Sequence, residues 1–119
     1  MNLQACKKIC GQCPFKKSSL KGWLGDLTVE QTLEVQQYEG LFPCHMKRKG
    51  STEDIVDKTI SGEIPICRGF LISANKSYKL FGSNPETGQS LRKLQQSFVS
   101  SPSELDSVLD RQEFLLHHS

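Results

Sequence analysis

Five cysteines carry the chemistry of this chain: Cys6, Cys10, Cys13, Cys44 and Cys67. Cys10 and Cys13 form a C-x-x-C pair in the run C-G-Q-C-P-F, while Cys44 stands in F-P-C-H and Cys67 in I-C-R-G-F. One close pair and two distant singles can close around one tetrahedral ion or one iron–sulfur cluster, because thiolates are soft ligands that zinc and iron both favour. Cys10, Cys13, Cys44 and Cys67 are therefore expected to bind one metal or cluster. Zinc ribbons usually bring two C-x-x-C knuckles. One pair followed by two widely separated singles suits a cluster better, since its irons lie apart and take ligands from separate elements. The expected cofactor is a [4Fe–4S] cluster, with Zn²⁺ as the alternative.

Other readings of the same residues are weaker. The C-x-x-x-C-x-x-C spacing of Cys6, Cys10 and Cys13 is similar to the radical S-adenosylmethionine motif. That chemistry needs a barrel of about 200 residues or more, and the chain has 119. Cys6 reads instead as a spare thiol near the site, or a ligand of last resort. A thioredoxin-type redox pair would want a strand before C-G-Q-C and a long helix after it, which Pro14 and the following K-K-S-S-L-K-G suit poorly. Buried cysteines are also often plain core residues. His45, directly after Cys44, is expected to hydrogen-bond a cluster sulfur or pack in the core, because adjacent residues seldom face one metal. His117 and His118 read as solvent-exposed residues of a frayed terminus. No carboxylate pair, Ser–His–Asp arrangement or glycine-rich phosphate loop stands out, so the only argument for an enzyme is the Cys6 spacing, with its suggestion of an open cluster position.

Length points to one domain, with residues 1–80 forming the metal- or cluster-binding part and 81–119 the C-terminal helices. Only 36% of residues are hydrophobic, so a small core stapled by a metal is the natural solution. The N-terminus lacks the features of a signal peptide, and no apolar run nears the roughly 20 residues of a membrane span. The expected setting is the cytoplasm, where cysteine clusters read as metal-binding before they read as disulfides. Residues 1–25 hold Lys7, Lys8, Lys16, Lys17 and Lys21 with no acid, and Lys47, Arg48 and Lys49 follow Cys44. Four thiolates around a dipositive centre leave a charge of −2, which nearby cations offset. That internal demand is preferred to a nucleic-acid surface, for which at most weak, sequence-independent binding is expected. A host or phage protein is the remaining candidate partner.

The elements that must position these cysteines are helices and turns, giving a mainly α fold with cysteine-bearing loops around one site. Residues 1–27 are loop-rich, with Phe15, Leu20, Trp23 and Leu24 as expected core anchors. Thr28 and Gln31 form a capping box for a helix through Tyr38 that ends at Gly40. Ser51 or Thr52 caps a second helix carrying Ile55, Val56, Thr59 and Ile60, stopped by Gly62. Leu41-Phe42-Pro43 and Ile64-Pro65-Ile66 are extended, because proline disfavours helix in the residue before it. Cys67 then opens a helix with Phe70, Leu71 and Ala74 on one face, where the helix dipole favours thiolate. Leu91, Leu94, Phe98 and Val99 mark another helix. Ser101, Pro102 and Glu104 start a further one with Leu105, Val108, Leu109 and Leu115 along its buried stripe. These last two are expected to form a helical hairpin. Lys16, Lys17 and Arg68 are expected to balance the site's charge, and Phe15, Trp23, Phe42 and Phe70 to shield it.

The run C-x-x-C-P-F-K-K, then Gly22-Trp23, Phe42-x-Cys44-His45 and Cys67-x-Gly69-Phe70, resembles a small family of uncharacterised bacteriophage and bacterial proteins. Its pattern is C-x-x-C-P-aromatic-basic-basic, F-x-C-H and C-x-G-aromatic, and the match covers residues 10–70. The resemblance implies a phage or bacterial cytoplasmic protein with Cys10, Cys13, Cys44, His45 and Cys67 as its signature, and supplies no activity. The opening C-x-x-C-P also resembles the cluster-binding start of iron–sulfur uracil-DNA glycosylases, which nothing else in the chain matches.

Overall fold

In a computed structural model, residues 1–24, 27–44, 50–97 and 100–119 are described. His45, the Lys47-Arg48-Lys49 run, Gly25, Phe98 and Val99 lie outside them. The described fold is mainly helical: α1 (Val29–Gln37), α2 (Thr52–Ser61), α3 (Arg68–Lys76), α4 (Gly88–Ser97), α5 (Pro102–Ser107) and α6 (Arg111–His118). Among the described residues no helix is long and apolar enough to cross a membrane.

Local sequence sets most helix starts. Thr28 and Gln31 exchange side-chain and backbone hydrogen bonds in a complete capping box, which satisfies amides that a helix start leaves unpaired. Ser51 caps α2 and Gly62 ends it at a φ of 89°, in the left-handed region that glycine adopts freely. At the end of α1 the left-handed residue is Glu39, at φ 61°, rather than the expected Gly40. A non-glycine residue holds that conformation only where its surroundings over-determine it. Glu39 is buried, and its carboxylate accepts hydrogen bonds from the backbone N–H groups of Gly82 (2.6 Å), Ser83 (3.0 Å) and Asn84 (3.2 Å). Lys79 Nζ stands 3.8 Å away, and Thr87 Oγ1 donates to the Glu39 carbonyl. Burial alone would raise the Glu39 pKa, but these donors and Lys79 hold it below the ordinary value.

The expected hairpin of two C-terminal helices is corrected by the structure. The stripe Leu105-Val108-Leu109 does not continue one helix: α5 stops at Ser107, and Val108 is extended. Val108 bridges Lys16, and the Leu109 N–H donates to the Phe15 carbonyl at 2.7 Å, so the N-terminal loop captures this backbone. A new capping box of Asp110 and Glu113 then starts α6. Lys76, at the end of α3, donates to the Leu105 and Val108 carbonyls at 2.7 Å each, satisfying acceptors that α5 leaves open. The most extensive helix pairing is α1 on α6. Arg111 ties it down with a 2.6 Å bond to Gln36 Oε1, while Gln36 Nε2 donates to the Phe70 carbonyl of α3.

α3 is the central element. Phe70, Leu71, Ile72, Ser73 and Ala74 are all buried, so the helix is enclosed on every side rather than along one face. Around it, Phe42 and Phe81 stack on Phe70, and Phe15 joins edge-on at 6.1 Å. Phe15 also stacks on Phe114 of α6 at 4.5 Å. Burying each such ring contributes roughly 1.5–3 kcal/mol, which makes this cluster the main apolar stabiliser. Of the expected loop anchors, Phe15 and Leu24 are buried, but Leu20 and Trp23 are 75% and 41% exposed. Leu115 is exposed as well.

Candidate metal centre

Three extended segments lie side by side, with residues 65–67 in the middle. Ile66 bridges Ala5 in parallel on one edge and Pro43 in antiparallel on the other. The ladder is backbone-bonded on both edges: Ile66 N–H to Gln4 O, Cys6 N–H to Ile66 O, Cys44 N–H to Pro65 O and Cys67 N–H to Phe42 O, at 2.7–3.0 Å. Ile66 is buried in the core, and strand side chains alternate between faces. Cys67, Cys6 and Cys44 each stand one residue beyond a paired position. The two proline-containing segments thus each deliver a cysteine, and the first six residues deliver another.

The C-x-x-C knuckle meets this ladder at Cys67. The Cys13 N–H donates to the Cys10 carbonyl at 3.2 Å, forming the tight turn. Cys13 Sγ lies 3.5 Å from Cys67 Sγ. Cys67 is the N-cap residue of α3 but makes no capping hydrogen bond with its side chain, which leaves its thiol to Cys13. Gly69, two residues on, permits this approach: a Cβ there would collide with Cys13 Sγ and lie 3.0 Å from Phe15 Cβ. The remaining thiols are electrostatic neighbours, Cys10 of Cys13 and Cys6 of Cys44. The structure thus sets Cys13 beside Cys67 and lines one cavity with Cys6, Cys10 and Cys44.

Burial and neighbouring thiols hold Cys6, Cys10 and Cys13 in their protonated form. The Cys6 pKa is pushed far up by its hydrogen bond with Cys44, by burial and by the charge Cys44 would carry. The Cys10 pKa is pushed up in the same way by Cys13, burial and the Cys13 charge. For Cys13, the bond from Cys10 favours the thiolate, but Cys67 and burial outweigh it. A bound dication reverses this balance, because coordination deprotonates thiols outright.

Arg68 pairs with Glu104 beside the Cys6 backbone. Its Nε and Nη2 engage Glu104 at 2.5 and 3.1 Å, a bidentate pair, and Nη1 reaches the Cys6 carbonyl at 3.3 Å. The Glu104 pKa falls because of this pair. Lys7 and Lys8 are closer candidates, lining with Cys6, Cys10 and Cys44 an open cavity of about 720 Å³. Phe15, Phe42 and Phe70 pack beneath the site as expected, whereas Trp23 lines a separate surface depression with Gly11 and Gln12.

The largest departure from expectation is at the C-terminal helix. His118 is buried, accepts from the Gly22 N–H at Nδ1 (3.0 Å) and donates from Nε2 to the Pro14 carbonyl (2.8 Å). Its ring also packs on Phe114 at 4.7 Å. His117 Nε2 lies 2.8 Å from the Ser19 carbonyl. Both histidines therefore clasp the loop that carries Cys13. A histidine pair in the last turn of a capped helix was the available signal, hidden by the assumption that the helix began at Pro102.

This clasp predicts acid sensitivity. Burial lowers the His118 pKa below its ordinary 6.5; the Pro14 carbonyl opposes and His117 reinforces that shift. The folded state therefore holds His118 neutral, and the unfolded chain takes up the proton first. Stability is full above about pH 6.5 and falls as pH drops from there toward the folded-state value. Urea midpoints at pH 7.5 and 5.5 should decline with acidification, and His118→Phe should reduce that slope; an unchanged slope would refute the assignment.

Among the described residues, no three histidine, cysteine or acidic side chains are arranged to hold one metal ion. Compared with known proteins, the chain matches no family model, no curated protein and no solved structure.

Proposed function

We propose that this is a small iron–sulfur protein in which Cys10, Cys13, Cys44 and Cys67 hold a [4Fe–4S] cluster. The observation that carries this reading is the nearness of the cysteines, with Cys13 beside Cys67 and Cys6, Cys10 and Cys44 lining one cavity. The donors on hand are thiols, with the Glu63 carboxylate beside three of them at the cavity and Phe15, Phe42 and Phe70 packed in the adjoining core. Such a cluster supplies one-electron chemistry, with a potential tuned by burial and hydrogen bonds to its sulfurs. The cavity beside Cys6, Cys10 and Cys44 favours sensing or electron transfer over a purely structural role, since structural centres are usually closed. The motif resemblance supports a phage or bacterial cytoplasmic setting, and the absence of a long apolar helix among the described residues fits a protein that works outside the bilayer.

One observation favours a second reading, a zinc-stapled module that binds a protein or, weakly, nucleic acid. The 3.5 Å separation of Cys13 and Cys67 is near the ~3.8 Å edge of a tetrahedron with 2.3 Å Zn–S bonds. Anaerobic purification after expression with ample iron separates the two. The cluster reading expects brown protein, broad visible absorption and about four irons per chain. Stoichiometric zinc without iron would establish the second reading instead.

A further inference from the structure

We propose that this chain pairs with a second copy of itself, the lysine-rimmed turn at residues 17–23 of each copy seating on α2 of the other. The inference is independent of what the cysteines hold. One half of the contact is the loop that the C-terminal helix clasps. Leu20 is 75% and Trp23 41% exposed, yet neither stands on slack chain. The Trp23 N–H donates to the Leu20 carbonyl at 3.1 Å, Gly22 is held by His118, and Ser19 by His117. With Gly11, Gln12, Ser18 and Ser19, these two side chains line an open depression of about 300 Å³. Lys17 and Lys21 are exposed in the same turn, and residues 1–24 hold no acid.

The other half is α2. Of its residues only Thr59 is buried, so this helix gives little of its surface to the core. Glu53, Val56, Asp57 and Ile60 fall at the i, i+3, i+4 and i+7 spacing that makes one stripe along a helix. Glu53, Val56 and Asp57 are exposed and Ile60 is half-buried. Glu53 also complements the positive end of the helix dipole, but Asp57 stands beyond the first turn, where that effect has faded. The two surfaces match in sign and in character: lysines beside exposed Leu20 and Trp23, carboxylates beside Val56 and Ile60. Among the described residues the ion pairs involve Arg68 and Lys79, so none joins Lys17 or Lys21 to Glu53 or Asp57 within one chain. A two-fold axis lets both contacts form together, since the turn of one copy meets α2 of the other and the reverse. Reciprocity doubles the buried surface, and the clamped turn loses little freedom on docking.

Sedimentation equilibrium on the full chain tests the pairing. Wild type should form a dimer as concentration rises, and added salt should weaken it. The double variants Lys17→Glu/Lys21→Glu and Glu53→Lys/Asp57→Lys should each raise the dissociation constant about tenfold or more, because every charge pair at both contacts becomes repulsive. All of these positions are exposed, so the variants keep the fold. Mixed in equal parts, the two charge-reversed proteins should regain wild-type affinity as a heterodimer, which misfolded chains do not do. Trp23, the only tryptophan, should shift its emission to shorter wavelength as the dimer forms. A wild type that stays monomeric at every concentration overturns the proposal. If Trp23 emission in that monomer shifts with anionic vesicles or with an acidic peptide, that occupant takes the place of α2. A dimer that both charge reversals leave intact, or that mixing fails to restore, also overturns it and puts the interface elsewhere.

Discussion

Gly69→Ala is expected to strip the metal and destabilise the fold at the same time. The added methyl must occupy space now held by Cys13 Sγ and Phe15 Cβ. The helix backbone at Gly69 is fixed within the buried α3, so the knuckle is the part that must move. Overpacking of this kind costs about 1–3 kcal/mol, and displacement of Cys13 adds the lost metal-binding free energy. Metal content and a urea midpoint, measured on the same preparation, give both readouts. Gly11→Ala is the control, since a Cβ there meets nothing within 4 Å. A Gly69→Ala protein with full metal content would show that the knuckle is not seated on α3 as described.

Glu39→Ala is expected to be the most damaging substitution away from the cysteines, costing about 3 kcal/mol. The change removes the acceptor for the Gly82, Ser83 and Asn84 amides and leaves alanine at a positive φ. Hydrogen bonds to an ionised group are worth about 1.5–3 kcal/mol each, and the exposed loop can recover part of this from water. Glu39→Gln, which keeps the shape but presents an amide to donors, should fall between alanine and wild type. Because the folded-state pKa of Glu39 is lowered, its contribution is present above the ordinary 4.5 and is lost as pH falls through the folded value. Denaturation of the three proteins at pH 7 and pH 4 measures both effects. Wild-type stability in Glu39→Ala would mean that the loop at 82–84 does not depend on this carboxylate.

What was legible in the sequence was local. The boxes at Thr28–Gln31 and Ser101–Glu104 and the glycine stop at Gly62 fixed helix ends because those hydrogen bonds join residues three or four apart. The nearness of Cys13 to Cys67 agrees with a reading drawn from thiol spacing and a proline-stiffened approach. The ladder was not legible, because nothing local to Ala5, Pro43 or Ile66 records that they pair. For the same reason Cys6 looked spare. Its place beside the other cysteines comes from a neighbour some sixty residues away, the Ile66 carbonyl that holds its backbone. The break at Val108 misled the helix reading because apolar spacing persisted through it, while the cause lay in the backbone of residues 15–17. Arg68 illustrates the limit of charge proximity: it is adjacent to Cys67 in sequence, but its guanidinium is committed to Glu104.

The bond from His118 to Pro14 joins residues 104 positions apart, and it has a consequence for how the protein is made. At about 5–20 residues per second, a ribosome that has finished Cys13 needs roughly 5–20 seconds more to supply the helix that clasps it. During that interval the thiols of the knuckle are on an unfinished chain, open to oxidants and to stray metals. On the proposed reading, loading of the centre is pushed to the end of synthesis, and slowing translation through α6 should increase the fraction of chains that emerge oxidised.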